Sequence, residues 1–97
     1  MFKGKKVMIR SDRAGVFFGV LRKQLKGGKV ILEDCYRVWY WDGAASISQL
    51  ANTGSSKRAN CKICPSVKLA RIETVIETLI MTDTAYKNLS EGVLWTV

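Results

Sequence analysis

The 97-residue sequence contains no histidine, a single proline and only three cysteines. Histidine is the commonest general base, so its absence disfavours an acid–base enzyme, although Asp, Glu, Lys or Ser could still serve. Cys35, Cys61 and Cys64 are odd in number and do not form a disulfide framework. We therefore expect a protein that acts by binding, without catalysis and without a cofactor.

Long apolar runs are also lacking. No stretch approaches the roughly 20 residues that a membrane-spanning helix needs. The basic N-terminus is not followed by the apolar segment and cleavage site of a signal peptide. These absences predict a cytoplasmic protein with no membrane partner. A hydrophobic content of 47% over 97 residues is typical of a single globular domain, residues 1–97.

Acidic residues are few, 8 against 16 basic ones, which gives a net charge of +8. Nine of the basic residues lie in the first thirty positions, where Asp12 is the only acid. A basic surface attracts polyanions, so nucleic acid, nucleotides or acidic proteins are the natural partners. A solvated face that only aids solubility explains the charge equally well. The charge therefore indicates that a partner would be negatively charged, but it does not identify that partner.

Short runs of β-branched and aromatic residues, separated by turn residues, dominate the chain. The predicted strands are residues 6–10, 16–22, 30–33, 36–41, 66–70, 73–81 and 93–97. Two short helices are predicted, over residues 46–51 and from Thr82 to near Gly92. No βαβ pattern occurs, so we expect a mainly β (α+β) fold. Its form would be a small antiparallel curled sheet or partial barrel with two short helices.

Three local features refine this prediction. Gly19 predicts a bulge or a close approach of another backbone, and residues 34–35 predict a kink. Residues 27–28 predict a two-residue hairpin turn. Residues 67–80 also fit helical spacing, so a helix competes with the two strands there. Their Thr and Val content favours the strands.

The sequence Trp39-Tyr40-Trp41 is the most unusual feature of the chain. In a strand, Trp39 and Trp41 point to one face together with Arg37, and Tyr40 points to the other. The tryptophans could build the core of a small sheet, or they could form a flat binding surface. A base stacked on an aromatic ring contributes roughly 1–3 kcal/mol, and the planar guanidinium of Arg suits phosphate.

A helix start follows directly. Gly43 ends the strand, and Ser46 caps a helix that carries Ile47, Leu50 and Ala51 inward. Its polar side chains and amides could contact a base, a ribose or a phosphate. The candidate ligand-binding residues are therefore Arg10, Arg13, Arg37, Trp39, Tyr40, Trp41, Gly43, Ser46, Ser48, Gln49, Asn52 and Arg58. For each arginine, simple exposed charge is the competing interpretation.

Other sites are not indicated. Cys61 and Cys64 have the spacing of half a zinc site, but Cys35 is the only other thiol and no histidine exists. Two ordinary thiols are the favoured interpretation, and no metal site is predicted. Neither a Walker-type loop nor a GxGxxG pattern occurs.

Residues 37–51, RVWYWDGAASISQLA, resemble the signature R-x-W-Y-W-x-G-A-x-S-x-S-Q-L-A of small, mostly uncharacterised bacteriophage and prophage proteins. Residues 10–19, RSDRAGVFFG, resemble a second block of that family, and residues 60–62 a third, weaker one. The chain departs from the second block at residues 11–13, where the family has a shorter neutral segment. The resemblance implies phage origin and expression in the cytoplasm of an infected host bacterium. It carries no established activity.

Phage proteins of this size and kind frequently block host defences. One class sequesters cyclic-nucleotide or ADP-ribose-type signals at oligomer interfaces, and the analogy is one of class only. The sequence thus favours a non-enzymatic, homo-oligomeric counter-defence sponge for a small phosphate-bearing nucleotide. A DNA- or RNA-binding accessory protein is the alternative, and a protein inhibitor of a host enzyme is another.

Overall fold

The computed structural model describes residues 2–97, which form one antiparallel sheet and two short α-helices. The strands are β1 (Lys6–Ser11), β2 (Gly15–Leu25), β3 (Lys29–Tyr40), β4 (Lys62–Ile63), β5 (Val67–Ile72) and β6 (Val75–Ile80). The helices are α1 (Ile47–Thr53) and α2 (Asp83–Glu91), with a 3₁₀ turn at Arg58–Asn60. The prediction of a mainly β fold with a curled antiparallel sheet and two short helices is confirmed.

The strand order β4-β3-β2-β1-β6 shows how the sheet curls. Strands β1, β2 and β3 form a meander, and β6 returns to pair with β1. Strand β5 pairs with the first half of β3, and the two-residue β4 pairs with its end. Strands β5 and β6 are joined by Glu73 and Thr74 alone, yet each pairs with a different strand. The sheet therefore curls without closing.

Alternate residues of each strand point to opposite sides of the sheet, and each side carries a hydrophobic core. One core lies under the helices and is formed by Met8, Phe18, Val38, Ile47, Leu50, Ala51, Cys61, Ile63, Met81, Ala85 and Leu89. The other is made of strand residues alone, Val7, Ile9, Phe17, Leu21, Val30, Leu32, Cys35 and Ile72. Complete burial of a leucine such as Leu50 stabilises the fold by about 1.5–3 kcal/mol.

The bulge predicted at Gly19 is confirmed. The register of β2 against β3 shifts between Phe18 and Val20, and a β-carbon at Gly19 would lie 2.8 Å from the carbonyl oxygen of Glu33. Opposite this point Asp34 has a φ of 52°, which gives the kink expected at residues 34–35. The strand continues through the kink, so the predicted segments 30–33 and 36–41 are parts of β3.

Two local predictions were wrong, and one short strand was not predicted. The β2–β3 hairpin loop has three residues, because Leu25 pairs with Lys29. Residues 93–97 form no strand, although Trp95 N donates a hydrogen bond to the Ile63 carbonyl oxygen at 2.8 Å. One such bond fixes the tail without making a ladder. The strand that was not predicted is β4, which has two residues and is too short to produce a periodic pattern.

Residues 67–80 form two strands, β5 and β6, and not the competing helix. Helix α2 begins after Thr82, whose hydroxyl accepts a hydrogen bond from Ala85 N, as its sequence predicted. Neither α1 nor α2 is long and apolar enough to cross a bilayer, and no other helix of residues 2–97 is.

Candidate ligand-binding surface

Arg37 is held in a fixed position at one end of the sheet. It lies opposite Phe17 in the β2–β3 ladder, and its guanidinium carbon is 4.5 Å from the centre of the Phe17 ring. Its Nη1 donates a hydrogen bond to the Ala14 carbonyl oxygen at 3.0 Å. No carboxylate of residues 2–97 forms an ion pair with it. The remaining donors of this guanidinium are therefore oriented and available to an anion.

Trp39 lies two residues further along β3 and is 61% exposed. Together with Arg37 and residues 14–16 it lines a shallow groove of about 260 Å³. The Trp95 ring contacts it, with ring centroids 5.9 Å apart and planes inclined at 60°. The Lys62 ammonium lies 5.7 Å from the Trp39 ring centre and 5.3 Å from that of Trp95. Trp39 thus presents an exposed aromatic surface beside two cations.

A second groove of about 420 Å³ adjoins the first, because Ala14 and Arg37 line both. Three arginines border this second groove, Arg13, Arg37 and Arg71. Only Arg71 is paired within the described chain, with Glu73 at 3.2 Å. We call the two grooves together the Arg37 surface. An aromatic ring at one end and unpaired guanidinium groups at the other suit a ligand with a base and a phosphate.

Trp41 does not share the face of Trp39, which corrects the sequence prediction. The register of β3 shifts between Val38 and Tyr40, and the strand ends at Tyr40. The chain then turns, and Trp41 packs against the core under the helices. The two interpretations of these tryptophans were core filling and a binding surface. Trp41 fits core filling, and Trp39 fits a binding surface.

Asp42 and Gly43 form a tight corner after the strand. The Asp42 carboxylate accepts hydrogen bonds from Asn60 Nδ2 at 3.2 Å and from Gly43 N at 2.8 Å, and both lower the pKa of this carboxyl. Gly43 has a φ of 82° and packs on the Lys57 backbone. The hydroxyl of Ser55 donates to the Asp42 carbonyl oxygen. This corner is bonded within the protein and does not border the Arg37 surface.

The helix start is bonded in the same way. Ser46 Oγ accepts a hydrogen bond from Gln49 N at 3.2 Å, and Gln49 Oε1 accepts one from Ala45 N at 2.8 Å. This arrangement differs from a capping box only in that Gln49 binds the amide of the residue before the N-cap, and it engages both side chains. Ser48 and Asn52 are exposed on α1, and neither lines the two grooves.

The other two predicted arginines lie elsewhere. Arg10 Nε pairs with Glu77 at 3.1 Å across β1 and β6. Arg58 is partly buried against the end of α2, and burial lowers its pKa. Tyr40 is half exposed and lies opposite Lys62 in β4. The structure therefore brings together Arg13, Arg37 and Trp39 of the predicted site, with Tyr40 on the adjoining part of β3.

Three residues of this region were not predicted from the sequence: Lys62, Arg71 and Trp95. Trp95 was read as part of a closing strand, and its position at Trp39 depends on the tail lying along β4. Arg71 reaches the groove because the β5–β6 turn lies beside the β1–β2 turn, where Ser11 Oγ and Asp12 N donate hydrogen bonds to the carbonyl oxygens of Glu73 and Thr74. The sequence signal for both is only residue type, an aromatic or a cation in a predicted strand.

The cysteines are all free. Cys35 is buried in the strand core, and burial raises its pKa to about 11. Cys61 Sγ lies 3.5 Å from the Asp42 carbonyl oxygen, which accepts its weak hydrogen bond. No group of three or more His, Cys, Asp or Glu in residues 2–97 is arranged to hold a metal ion.

Comparison with known families identifies the family of this fold. A family model described as a domain of unknown function, DUF6948, matches residues 4–89. It spans the whole sheet, α1 and most of α2, and Trp95 lies beyond it. A search of curated proteins found no match.

Proposed function

This chain belongs to the DUF6948 family, and from the geometry of its Arg37 surface we propose that it is a non-enzymatic binding protein for a phosphate-bearing nucleotide. One observation carries the proposal: an exposed tryptophan, Trp39, lines the same groove as Arg37, an oriented arginine that has no acidic partner among residues 2–97. Capture of a ligand there requires no chemical step.

In this proposal the base stacks on the exposed face of Trp39, a contact worth roughly 1–3 kcal/mol. The phosphate lies in the second groove, where Arg37 and Arg13 donate charge-assisted hydrogen bonds. The contact of Arg37 with Phe17 and Ala14 fixes its guanidinium before the ligand arrives. Less conformational entropy is then lost on binding.

The biological setting is part of the proposal. The resemblance of residues 37–51 to phage proteins supports a counter-defence sponge that sequesters a cyclic or ADP-ribose-type nucleotide in the cytoplasm of an infected bacterium. Both grooves are shallow, so a single copy contacts its ligand from one side. A homo-oligomer would supply further contacts around the ligand.

Native mass spectrometry of the purified protein, together with its absorbance ratio at 260 and 280 nm, tests this proposal first. The expected result is a stoichiometric added mass of nucleotide size, either as purified or after incubation with a panel of cyclic nucleotides and ADP-ribose. Arg37→Gln and Trp39→Ala should each lose the adduct. Arg10→Gln is the matched control, because Arg10 pairs with Glu77 away from the surface. Equal binding by all four proteins would contradict the site.

A single-stranded nucleic acid is the second candidate ligand. The observation in its favour is that the two grooves join and are open, and that the chain carries a net charge of +8. Affinity should then grow with oligonucleotide length and fall steeply with salt concentration. A mononucleotide sponge shows no dependence on length and a much weaker dependence on salt, because few phosphates are neutralised. Failure of both ligand classes would leave a host enzyme as the partner to test.

A further inference from the structure

Ser11, buried at the end of β1, ties together the two turns that border the second groove. Its Oγ donates a hydrogen bond to the Glu73 carbonyl oxygen at 2.6 Å and accepts one from Ala14 N at 3.1 Å. The β1–β2 turn, which carries Arg13, is thereby held beside the β5–β6 turn, which Arg71 precedes by two residues. The fold therefore fixes the two sides of this groove before any ligand binds.

The charges along this groove are not balanced. Neither Arg13 nor Arg37 forms an ion pair with a carboxylate of residues 2–97. Arg71 Nη2 lies 3.2 Å from Glu73 Oε2, and Glu73 is the only acid among the described residues that line either groove. Three guanidinium groups and one carboxylate leave a net charge of two positive units in the second groove.

The ion pair between Arg71 and Glu73 is exposed to solvent. The two side chains are 61% and 52% accessible, and a pair of this kind contributes little to stability because water screens its charges. Phosphate oxygens fit the planar guanidinium at least as well as a carboxylate does, and they bind it through charge-assisted hydrogen bonds. A phosphate that enters the groove can therefore replace the Glu73 carboxylate on Arg71.

Given the proposed function, on which this step rests, we infer that the ligand is a nucleotide with two linked phosphates and that Arg71 is its third arginine. Arg71 leaves Glu73 when the ligand binds. The base stacks on Trp39, and the two phosphates lie among Arg37, Arg13 and Arg71 in the second groove. A pyrophosphate linkage carries two negative charges, which match the net charge of the groove.

The placement of the arginines favours a pyrophosphate over a cyclic mononucleotide. Trp39 lines only the first groove, whereas Arg13, Arg37 and Arg71 all line the second. The positive charge is therefore gathered at one end of the Arg37 surface. A cyclic mononucleotide has one phosphate with a single negative charge, held close to its base, and it cannot engage all three guanidinium groups. Two linked phosphates extend the negative charge away from the base and along the second groove.

Titration calorimetry with ADP-ribose and AMP, at about pH 8 and about 0.15 M salt, tests this assignment. Both ligands carry about two negative charges under these conditions, because a phosphate monoester loses its second proton near pH 6. General electrostatic effects are then common to both ligands and cancel in the ratio of their affinities. The wild type should bind ADP-ribose at least about tenfold more tightly than AMP, since only ADP-ribose reaches Arg71.

Three variants assign the effect to this ion pair. Arg71→Gln should remove the advantage of ADP-ribose, while AMP still binds and shows that the variant is folded. Glu73→Gln frees Arg71 in advance and should raise the ratio roughly two- to fivefold, the contribution of an exposed ion pair. Glu77→Gln is the matched control, because Glu77 forms the same kind of pair with Arg10, at 3.1 Å, outside the Arg37 surface. Its ratio should equal that of the wild type.

The possible failures are distinguishable. A wild type that binds ADP-ribose and AMP equally, or an advantage of ADP-ribose that survives Arg71→Gln, would overturn the role of Arg71 and leave the proposed function standing. An unchanged ratio in Glu73→Gln, or an equal rise in Glu77→Gln, would contradict the displacement of Glu73 by the ligand. Binding of neither nucleotide would overturn the proposed function and the pyrophosphate site with it.

Discussion

Arg58 and Leu89 are joined by two hydrogen bonds across 31 residues of sequence. Arg58 Nε and Nη2 donate to the Leu89 carbonyl oxygen at 3.2 and 2.9 Å. The last carbonyls of a helix have no partner within it, so the guanidinium satisfies one of them at the end of α2. Its positive charge is also favourable at a helix C-terminus. An arginine that the sequence offered as a phosphate ligand therefore caps a helix.

Replacing Arg58 should destabilise the fold without affecting ligand binding. Arg58→Met keeps much of the apolar stem but leaves the Leu89 carbonyl without its donor, so we expect a loss of about 1–3 kcal/mol in the free energy of unfolding. Urea denaturation measures it. Arg13→Met, at an exposed position, should change stability by no more than about 0.5 kcal/mol. Equal stability of the two variants would contradict the capping role.

Trp39 and Trp41 should respond in opposite ways to truncation. Trp39→Ala removes a 61% exposed ring and should leave stability nearly unchanged, while weakening nucleotide binding roughly 5- to 150-fold. Trp41→Ala removes a ring that packs on the core and should lower the free energy of unfolding by up to about 3–5 kcal/mol. Titration calorimetry and urea denaturation separate the two effects. A large loss of stability in Trp39→Ala would place that ring in the fold instead of the site.

Gly43 should tolerate substitution less well than Gly27. Both have a positive φ, 82° and 80°, so alanine is strained at either position. At Gly27 the space is open, whereas at Gly43 the new β-carbon would lie 2.5 Å from Lys57 N. We expect Gly27→Ala to cost about 1–2 kcal/mol and Gly43→Ala clearly more. Thermal denaturation of the two variants makes the comparison, and equal melting temperatures would contradict the close packing of the corner.

Local signals in the sequence were sufficient for most of the fold. Gly19 marked the bulge, the β-branched run after Glu73 marked β6, and Thr82 marked the start of α2. Each of these depends on residues near one another in the chain. The errors arose where pairing between distant strands decides whether a segment becomes a strand. Residues 93–97 have the composition of a strand, but only Trp95 N forms a backbone hydrogen bond, with the Ile63 carbonyl oxygen.

The site was less predictable because its arrangement depends on distant contacts. The shift in register beyond Val38 places Trp41 and Trp39 on different faces. The alternation of side chains along the sequence does not predict this shift. Arg13 and Arg37 meet because β2 and β3 are neighbours, which the predicted hairpin implies. Arg58 turns inward because the end of α2 is beside it. Residue type identified good candidates, and tertiary packing selected among them.

Cys35 should make stability depend on alkaline pH. Its side chain is buried beside Leu32 in the strand core, and burial raises its pKa from 9.0 to about 11, although nearby Arg37 opposes the shift. In the unfolded chain the thiol ionises near its ordinary value. Between these two values the unfolded state loses a proton that the folded state keeps, so stability is full below about pH 9 and declines as the pH rises to about 11.

The comparison of wild type with Cys35→Ala isolates this effect, since other titrating groups are common to both proteins and cancel in the difference. Cys35→Ala leaves a small cavity whose cost does not depend on pH. The wild type's advantage in free energy of unfolding should therefore be constant up to about pH 9 and shrink from there to about pH 11. Urea denaturation at closely spaced pH values measures it. A difference that stays constant to pH 11 would mean that the folded thiol ionises as readily as the unfolded one.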